Sequence, residues 1–229
     1  MHAGRPKPRT RVSIVEDELL LRRMLEQVLH GRPDVVVAHS AGGCQEAERA
    51  IVPRSTDVLL TDVHLEDGSG IELAERLQER DPRLGIVLIS SQDSLGSFLH
   101  AQSAAPRPWS FLSKRSSFGV NTLVHSVQAA VDGTQVIDPH LVQQSRPRAD
   151  TPVALLTPAQ LRVLTLVAAG MSNEAIARAT STTLRSVENH LLAVYQRLKL
   201  PSERHNRRVL ATLAFLQQTS RHPRSLRGG

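Results

Sequence analysis

Two hydrophobic periods alternate along the first 140 residues. Short apolar runs occur at 11–15 (RVSIV), 34–38 (DVVVA), 57–62 (DVLLTD), 85–90 (GIVLIS) and 109–114 (WSFLSK). Continuous β-rich runs of this length suit strands buried on both faces. Between them the spacing is helical. Leu21, Leu25, Val28 and Leu29 share one face, as do Ile71, Ala74 and Leu77; Val120, Leu123, Val124, Val127 and Val131 form the cleanest stripe. Five strands alternating with five helical segments predict a doubly wound (βα)5 domain with a parallel sheet over 10–141.

The pattern then breaks. Residues 142–153 are polar, Pro-bearing and non-periodic, and read as a linker. From 154 to 218 everything looks helical. Thr157 is placed to cap a helix with Pro158 at its first position, Gln160 completing a capping box, and Leu156 and Leu161 forming a staple. That helix should end near Gly170. Ser172 begins a short helix through Ala179. Thr183 begins a longer one to about Leu198, with Val187, Leu191, Val194 and Leu198 on its buried face. A last helix after Pro201 carries Leu210, Leu213, Ala214 and Leu216, suiting either a dimer surface or a private core. Short helices before a longer third one predict a small four-helix, helix-turn-helix domain. Both chain ends, 1–10 and 217–229, are expected to be disordered.

Charge sharpens this division. The net +6 sums three parts: +3 over 1–9, −6 over 10–140 (12 basic, 18 acidic) and +9 over 141–229 (13 basic, 4 acidic). An acidic body followed by a basic end suggests two jobs, the second on a polyanion. The one cysteine, Cys44, excludes an internal disulfide and a multi-cysteine zinc site, and points to a reducing cytoplasm. The basic start is too short in apolar residues for a secretory signal, and no stretch suits a membrane span.

In a doubly wound sheet, ligands bind beyond the carboxyl ends of the strands. The predicted strands end there in Glu16 and Asp17, in Asp62, in Ser90 and in Lys114. Carboxylates ~5 Å apart at an effective dielectric of ~20 repel by on the order of 3 kcal/mol. The cluster therefore demands cations: Lys114 and a hard divalent ion such as Mg²⁺. An aspartate beside Mg²⁺, a lysine and a hydroxyl donor is equipped to attack a phosphoryl group.

The segments "IVED", "TDVHLEDGSGIEL", "VLISS" and "FLSK" resemble the receiver domain of two-component response regulators, a flavodoxin-like fold. "LTPAQLRVL…AAGMSNEAIARATSTTLRSVENHLLAVYQRLKL" resembles the LuxR-type helix-turn-helix. The pair is similar to the NarL/FixJ-type response regulators across nearly the whole chain. The resemblance implies Asp62 as phosphoacceptor and Asp17 as Mg²⁺ ligand, with Glu16 acting through water and the His64 backbone carbonyl completing the set. It implies Ser90 and Lys114 on the phosphoryl oxygens, and Phe111 as the switch aromatic whose packing follows Ser90. The His64 side chain is expected to face solvent, and Gly68 suits a turn. Two departures stand out: Glu66 where the family often has Pro, and "SAAPRPWSF" before the fifth strand, which should shorten or move the fourth helix.

In the second domain the resemblance makes 183–198 the recognition helix. Arg185, Glu188, Asn189, Leu192 and Gln196 then point outward, with Asn189 suited to adenine and Glu188 to cytosine. Arg185, Arg197, Lys199, Arg162 and Arg178 are phosphate-contact candidates, and Thr183 and Ser186 lie at the helix N-terminus, which can face a phosphate. The family usually places lysines at Glu188 and Leu192, so the salt-dependent part of affinity should be reduced. The implied partners are a sensor histidine kinase, double-stranded DNA and a second copy of the chain on DNA, with no membrane. The expected function is a non-enzymatic regulator whose phosphorylation controls transcription. A phosphorylation-independent regulator with a constrained switch is the alternative. A phosphohydrolase would need a second acid two residues after Asp62, where His64 stands.

Overall fold

The computed structural model describes residues 9–90, 94–114, 119–138, 142, 146–201 and 207–219. Backbone contacts divide the chain into two units between Val136 and Ile137.

The first unit runs β1 (Thr10–Val15), α1 (Leu19–His30), β2 (Val35–Ala41), α2 (Cys44–Ala50), β3 (Val58–Asp62), a two-strand ribbon β4 (His64–Leu65) and β5 (Gly68–Ser69), α3 (Gly70–Arg80), β6 (Gly85–Ser90), α4 (Leu95–Ala104), β7 (Trp109–Ser113) and α5 (Val120–Val131). Five strands form one parallel sheet in the order β2–β1–β3–β6–β7. This is the flavodoxin-like order. Every residue of β3, β6 and β7 is buried, which is why those runs read as unbroken apolar stretches. The chain reverses its direction of winding between β1 and β3. That reversal opens a crevice at their carboxyl ends, where Glu16, Asp17 and Asp62 stand.

The helices follow the predicted faces with one exception. Leu21, Leu25 and Leu29 bury α1, and Ile71, Ala74 and Leu77 bury α3. In α5 the stripe is narrower than expected. Leu123 and Val127 are buried beside Ser126, Ala129 and Ala130, while Val120 and Val131 are exposed at the two ends. Gly70 begins α3 close against the sheet. A Cβ there would lie 1.8 Å from the Asp62 carbonyl oxygen, a clash with backbone. Only glycine lets the chain turn this tightly after Asp62.

The Pro-bearing segment before β7 ends α4 at Ala104. Ala105 is extended, as a residue before proline prefers. Arg107 then reaches the carbonyls of Ala130 and Val131 at 3.2 and 3.1 Å, at the C-terminus of α5. Around Trp109 three buried glutamines form an amide lattice that hydrophobic patterning does not anticipate. The indole N–H donates to Gln78 Oε1 at 2.8 Å, the Trp109 amide donates to Gln102 Oε1 at 2.5 Å, and Gln135 Nε2 donates to the Trp109 carbonyl at 2.9 Å.

The described part of the second unit holds a 3-10 turn (Pro152–Leu155) and helices α6 (Pro158–Ala168), α7 (Asn173–Ala179), α8 (Leu184–Arg197) and α9 (Arg207–Thr219). Thr157 and Gln160 make the full capping box. Gly170, at φ +82°, closes α6 in the left-handed conformation. Val163, Val167, Ile176, Ala177, Val187 and Leu191 share one core.

Part of the segment read as linker is anchored. Thr151 and Val153 are buried, and the amides of Arg148 and Val153 donate to the Gln218 carbonyl and side chain at 3.1 and 3.0 Å. On α9, Leu213 and Leu216 are buried, while Leu210 and Ala214 are half-buried. At the ends expected to be disordered, Thr10 begins β1 and Gln217–Thr219 complete α9. The remainder of those ends, apart from Arg9, lies outside the described residues.

Candidate functional site

Glu16 and Asp17 follow β1 directly, Asp62 ends β3, Ser90 ends β6 and Lys114 follows β7. The sheet therefore gathers side chains from four separated stretches at one edge. One carboxylate oxygen from each of Glu16, Asp17 and Asp62 lies within 4.8 Å of the others. Lys114 Nζ bridges two of them, 2.6 Å from Asp62 Oδ2 and 3.1 Å from Glu16 Oε1. Its backbone is pinned as well, because the Lys114 amide donates to the Ser90 carbonyl at 2.8 Å.

The carboxylates are held individually. Asp62 Oδ1 accepts from the His64 amide at 3.2 Å. Asp17 Oδ2 accepts from the Glu66 amide at 3.0 Å. That second bond gives the sequence departure at 66 a meaning: a proline there would have no N–H to donate. Glu16 is 1% exposed, and its Oε2 has no hydrogen-bond partner. Burial raises the Glu16 pKa above the ordinary carboxylate value; the Lys114 hydrogen bond opposes this and the Asp62 charge adds to it. Lys114 is also raised: burial pulls it down, but the hydrogen bonds to Asp62 and Glu16 together outweigh that pull.

Ser90 and Phe111 are fully buried. The Phe111 ring packs against Phe98 of α4, with centroids 5.1 Å apart and planes tilted by 43°. The His64 side chain is exposed, as expected, but it is not idle: its Nε2 lies 2.8 Å from the Ser94 hydroxyl. Ser94, which sequence reasoning passed over, bonds in turn to Ser90 at 2.7 Å. Its only signal in the sequence was a serine at the start of a helical stretch. Gly68 has φ +157° in the ribbon turn.

In the second unit, Thr183 caps α8 by accepting from the Ser186 amide at 3.1 Å. Val187, Leu191 and Val194 face the core. Arg185, Glu188, Asn189, Leu192, Gln196, Arg197 and Lys199 are exposed, and Ser186 is half-buried. Leu192 is 48% exposed and Leu184 41%, so the outer face of α8 is more apolar than a phosphate-binding surface requires. Lys199 takes the left-handed conformation, φ +53°, where the chain leaves α8. Arg162 and Arg178 are exposed on α6 and α7.

A five-stranded parallel sheet with an acidic, lysine-bridged edge, followed by a capped helix-turn-helix, defines a class. Residues 12–128 match the response regulator receiver domain family, and residues 154–214 match the bacterial regulatory proteins of the luxR family. The chain belongs to the response regulators: it is a two-component response regulator that controls transcription. It is 28% identical over 212 residues to the nitrate/nitrite response regulator NarP of Escherichia coli, covering 90% of this chain and 94% of that one. It is 23% identical over 193 residues to the response regulator VraR of Staphylococcus aureus, covering 83% and 90%. A solved structure of the Salmonella typhimurium response regulator RcsB shares the fold, with a TM-score of 0.50, 17% identity, and coverage of 92% of this chain and 99% of that one.

Proposed function

We propose that Asp62 is the phosphoacceptor of this regulator and that its phosphorylation controls DNA binding by α8. The observation that carries the reading is the convergence of Glu16, Asp17 and Asp62 on one edge, bridged by Lys114, with Glu16 Oε2 buried and unpartnered. An orphaned carboxylate oxygen among oxygen-only donors fits a hydrated hard cation, and Mg²⁺ in particular. Asp17, Asp62 and the His64 carbonyl would hold it, with Glu16 acting through water. When bound, Mg²⁺ supplies positive charge against the phosphoryl oxygens.

One Asp62 carboxylate oxygen attacks the phosphorus of a phosphohistidine on a sensor histidine kinase. The P–N bond breaks, its electron pair stays with the imidazole, and an acyl phosphate forms on Asp62. Lys114 already touches Asp62 and neutralises charge gathering on the transferred group. The Ser90 hydroxyl turns to donate to a phosphoryl oxygen, and Phe111 repacks against α4. Any turnover is limited to hydrolysis of this acyl phosphate.

Residues 10–141 serve as the receiver and 154–218 as the DNA-binding half, with 142–153 between them. Glu188, Asn189 and Leu192 face base edges while Arg185, Arg197 and Lys199 meet phosphates, Thr183 and Ser186 presenting the helix N-terminus. Two copies read two half-sites in the cytoplasm. Radiolabel from acetyl phosphate should enter the wild type and not Asp62→Ala, and DNA affinity should rise with phosphodonor and Mg²⁺. Equal labelling of Asp62→Ala, or an affinity indifferent to the phosphodonor, overturns the reading.

A further inference from the structure

The Ser90 hydroxyl is committed to a partner other than Asp62. It donates to the Ser94 hydroxyl at 2.7 Å, and Ser94, itself 2% exposed, lies 2.8 Å from His64 Nε2. Ser90, Ser94 and His64 thus form one hydrogen-bonded row from the end of β6 to the surface.

Ser94 is also the N-cap residue of α4, where a serine ordinarily accepts from an amide of the first turn. It makes no such bond, and its backbone sits at φ −90°, ψ 0°. The contrast within the chain is sharp. Ser69, Thr157, Ser172 and Thr183 are all extended at their caps, and each accepts from the amide three residues on. The Ser94 hydroxyl has been diverted from its helix to Ser90.

A serine hydroxyl carries one proton. Ser90 cannot give it to Ser94 and to a phosphoryl oxygen at the same time. We propose that Ser94, anchored by His64, is a latch: a positioning residue that holds the Ser90 hydroxyl away from the phosphoryl group and stabilises the resting receiver. The latch rests on the reading of Asp62 as phosphoacceptor. When Ser90 turns to the phosphoryl group, the Ser94 oxygen is released and becomes available to cap α4. One bond exchange thereby connects the acceptor site to the start of the helix that packs on Phe111.

The test uses the full-length chain with beryllium fluoride and Mg²⁺ as the phosphoryl probe. Ser94→Ala removes the competing acceptor and leaves the Ser90 proton unpaired in the resting state. The probe should bind about 2- to 10-fold more tightly, the worth of one neutral hydrogen bond. Ser94→Thr keeps a hydroxyl and should bind as the wild type does. In a Ser90→Ala background, Ser94→Ala should change nothing, whereas a merely structural effect would shift both backgrounds alike. Unchanged or weaker binding by Ser94→Ala, or an equal shift without Ser90, overturns the latch. Should Ser94→Ala fail to fold, His64→Phe at the exposed end of the row runs the same cycle, with a smaller shift in the same direction expected and no shift overturning it. A wild type that takes up neither beryllium fluoride nor label from acetyl phosphate overturns the phosphoacceptor reading and the latch with it. A wild type that takes up both, with indistinguishable variants, overturns the latch alone.

Discussion

Replacing Lys114 with Met should destabilise the first unit strongly, and the structure sets the size. The ammonium lies 2.6 Å from Asp62 and 3.1 Å from Glu16, contacts of roughly 5–6 kcal/mol each at an effective dielectric of about 20. Without it, two carboxylates that are 5% and 1% exposed face each other, and at the 4.8 Å limit of the cluster they repel by roughly 3 kcal/mol. Much of this is offset, because the lysine no longer pays to leave water. Breaking a buried pair on one side costs about 3–5 kcal/mol net. Lys114 is 28% exposed, which moves the expectation to about 2–3 kcal/mol. The assay is hydrogen–deuterium exchange of peptides spanning β3 and β7, without divalent metal, where the slowest amides report global opening. Exchange should accelerate roughly 30- to 150-fold. Adding Asp62→Asn to Lys114→Met should recover most of the loss, since it removes the uncompensated charge. Exchange within about 3-fold of wild type in Lys114→Met, or no recovery in the double variant, would refute the electrostatic account.

Glu66→Pro should lower Mg²⁺ affinity by about 10-fold in calorimetric titration, because Asp17 loses the amide that orients it; Glu66→Gln, which keeps that amide, should change it much less. Restoring cations on the outer face of α8 with Glu188→Lys and Leu192→Lys should steepen the salt dependence of DNA binding by about 1.8 in slope, so that affinity falls an additional ~12-fold between 50 and 200 mM salt; an unchanged slope would place those positions away from the DNA. Asp57 is held below its ordinary pKa of 3.8, chiefly by hydrogen bonding to Arg11. The pair's stabilisation is therefore full above that value and lost as pH falls through the lower folded one. With both side chains more than a third exposed, it is bounded at about 1 kcal/mol, and acid unfolding curves of wild type and Arg11→Gln should differ above pH 3.8 and converge only as pH falls through the lower folded-state value.

The sequence exposed most of what backbone pattern dictates. Runs such as GIVLIS are legible as central strands because both faces are buried, and once strands are placed, the rim residues Glu16, Asp17, Asp62 and Lys114 follow from topology alone. What stayed hidden depends on side-chain direction. Nothing in the spacing of Ser90, Ser94 and His64 says that a strand end, a helix cap and a ribbon residue share one hydrogen-bonded row. Val120 and Val131 carry the right period for α5, yet they sit on its terminal turns beyond the sheet's reach. Thr151 and Val153 looked like linker because a 3-10 turn is too short to show a period, although Gln218 binds the chain there. The three glutamines around Trp109 were invisible for a related reason: polar residues usually mark surface, and here they are buried and hydrogen-bond to the tryptophan's amide, carbonyl and indole.

That last arrangement has an experimental use. The chain has one tryptophan and one tyrosine. Trp109 is sealed in the first unit with its indole hydrogen-bonded, and Tyr195 lies in the second beneath the Arg207 guanidinium at 5.1 Å. Each half of the molecule therefore carries its own intrinsic fluorophore. Indole emission follows the melting of the sheet alone, without label or mutation, even while the helical half is occupied with something else.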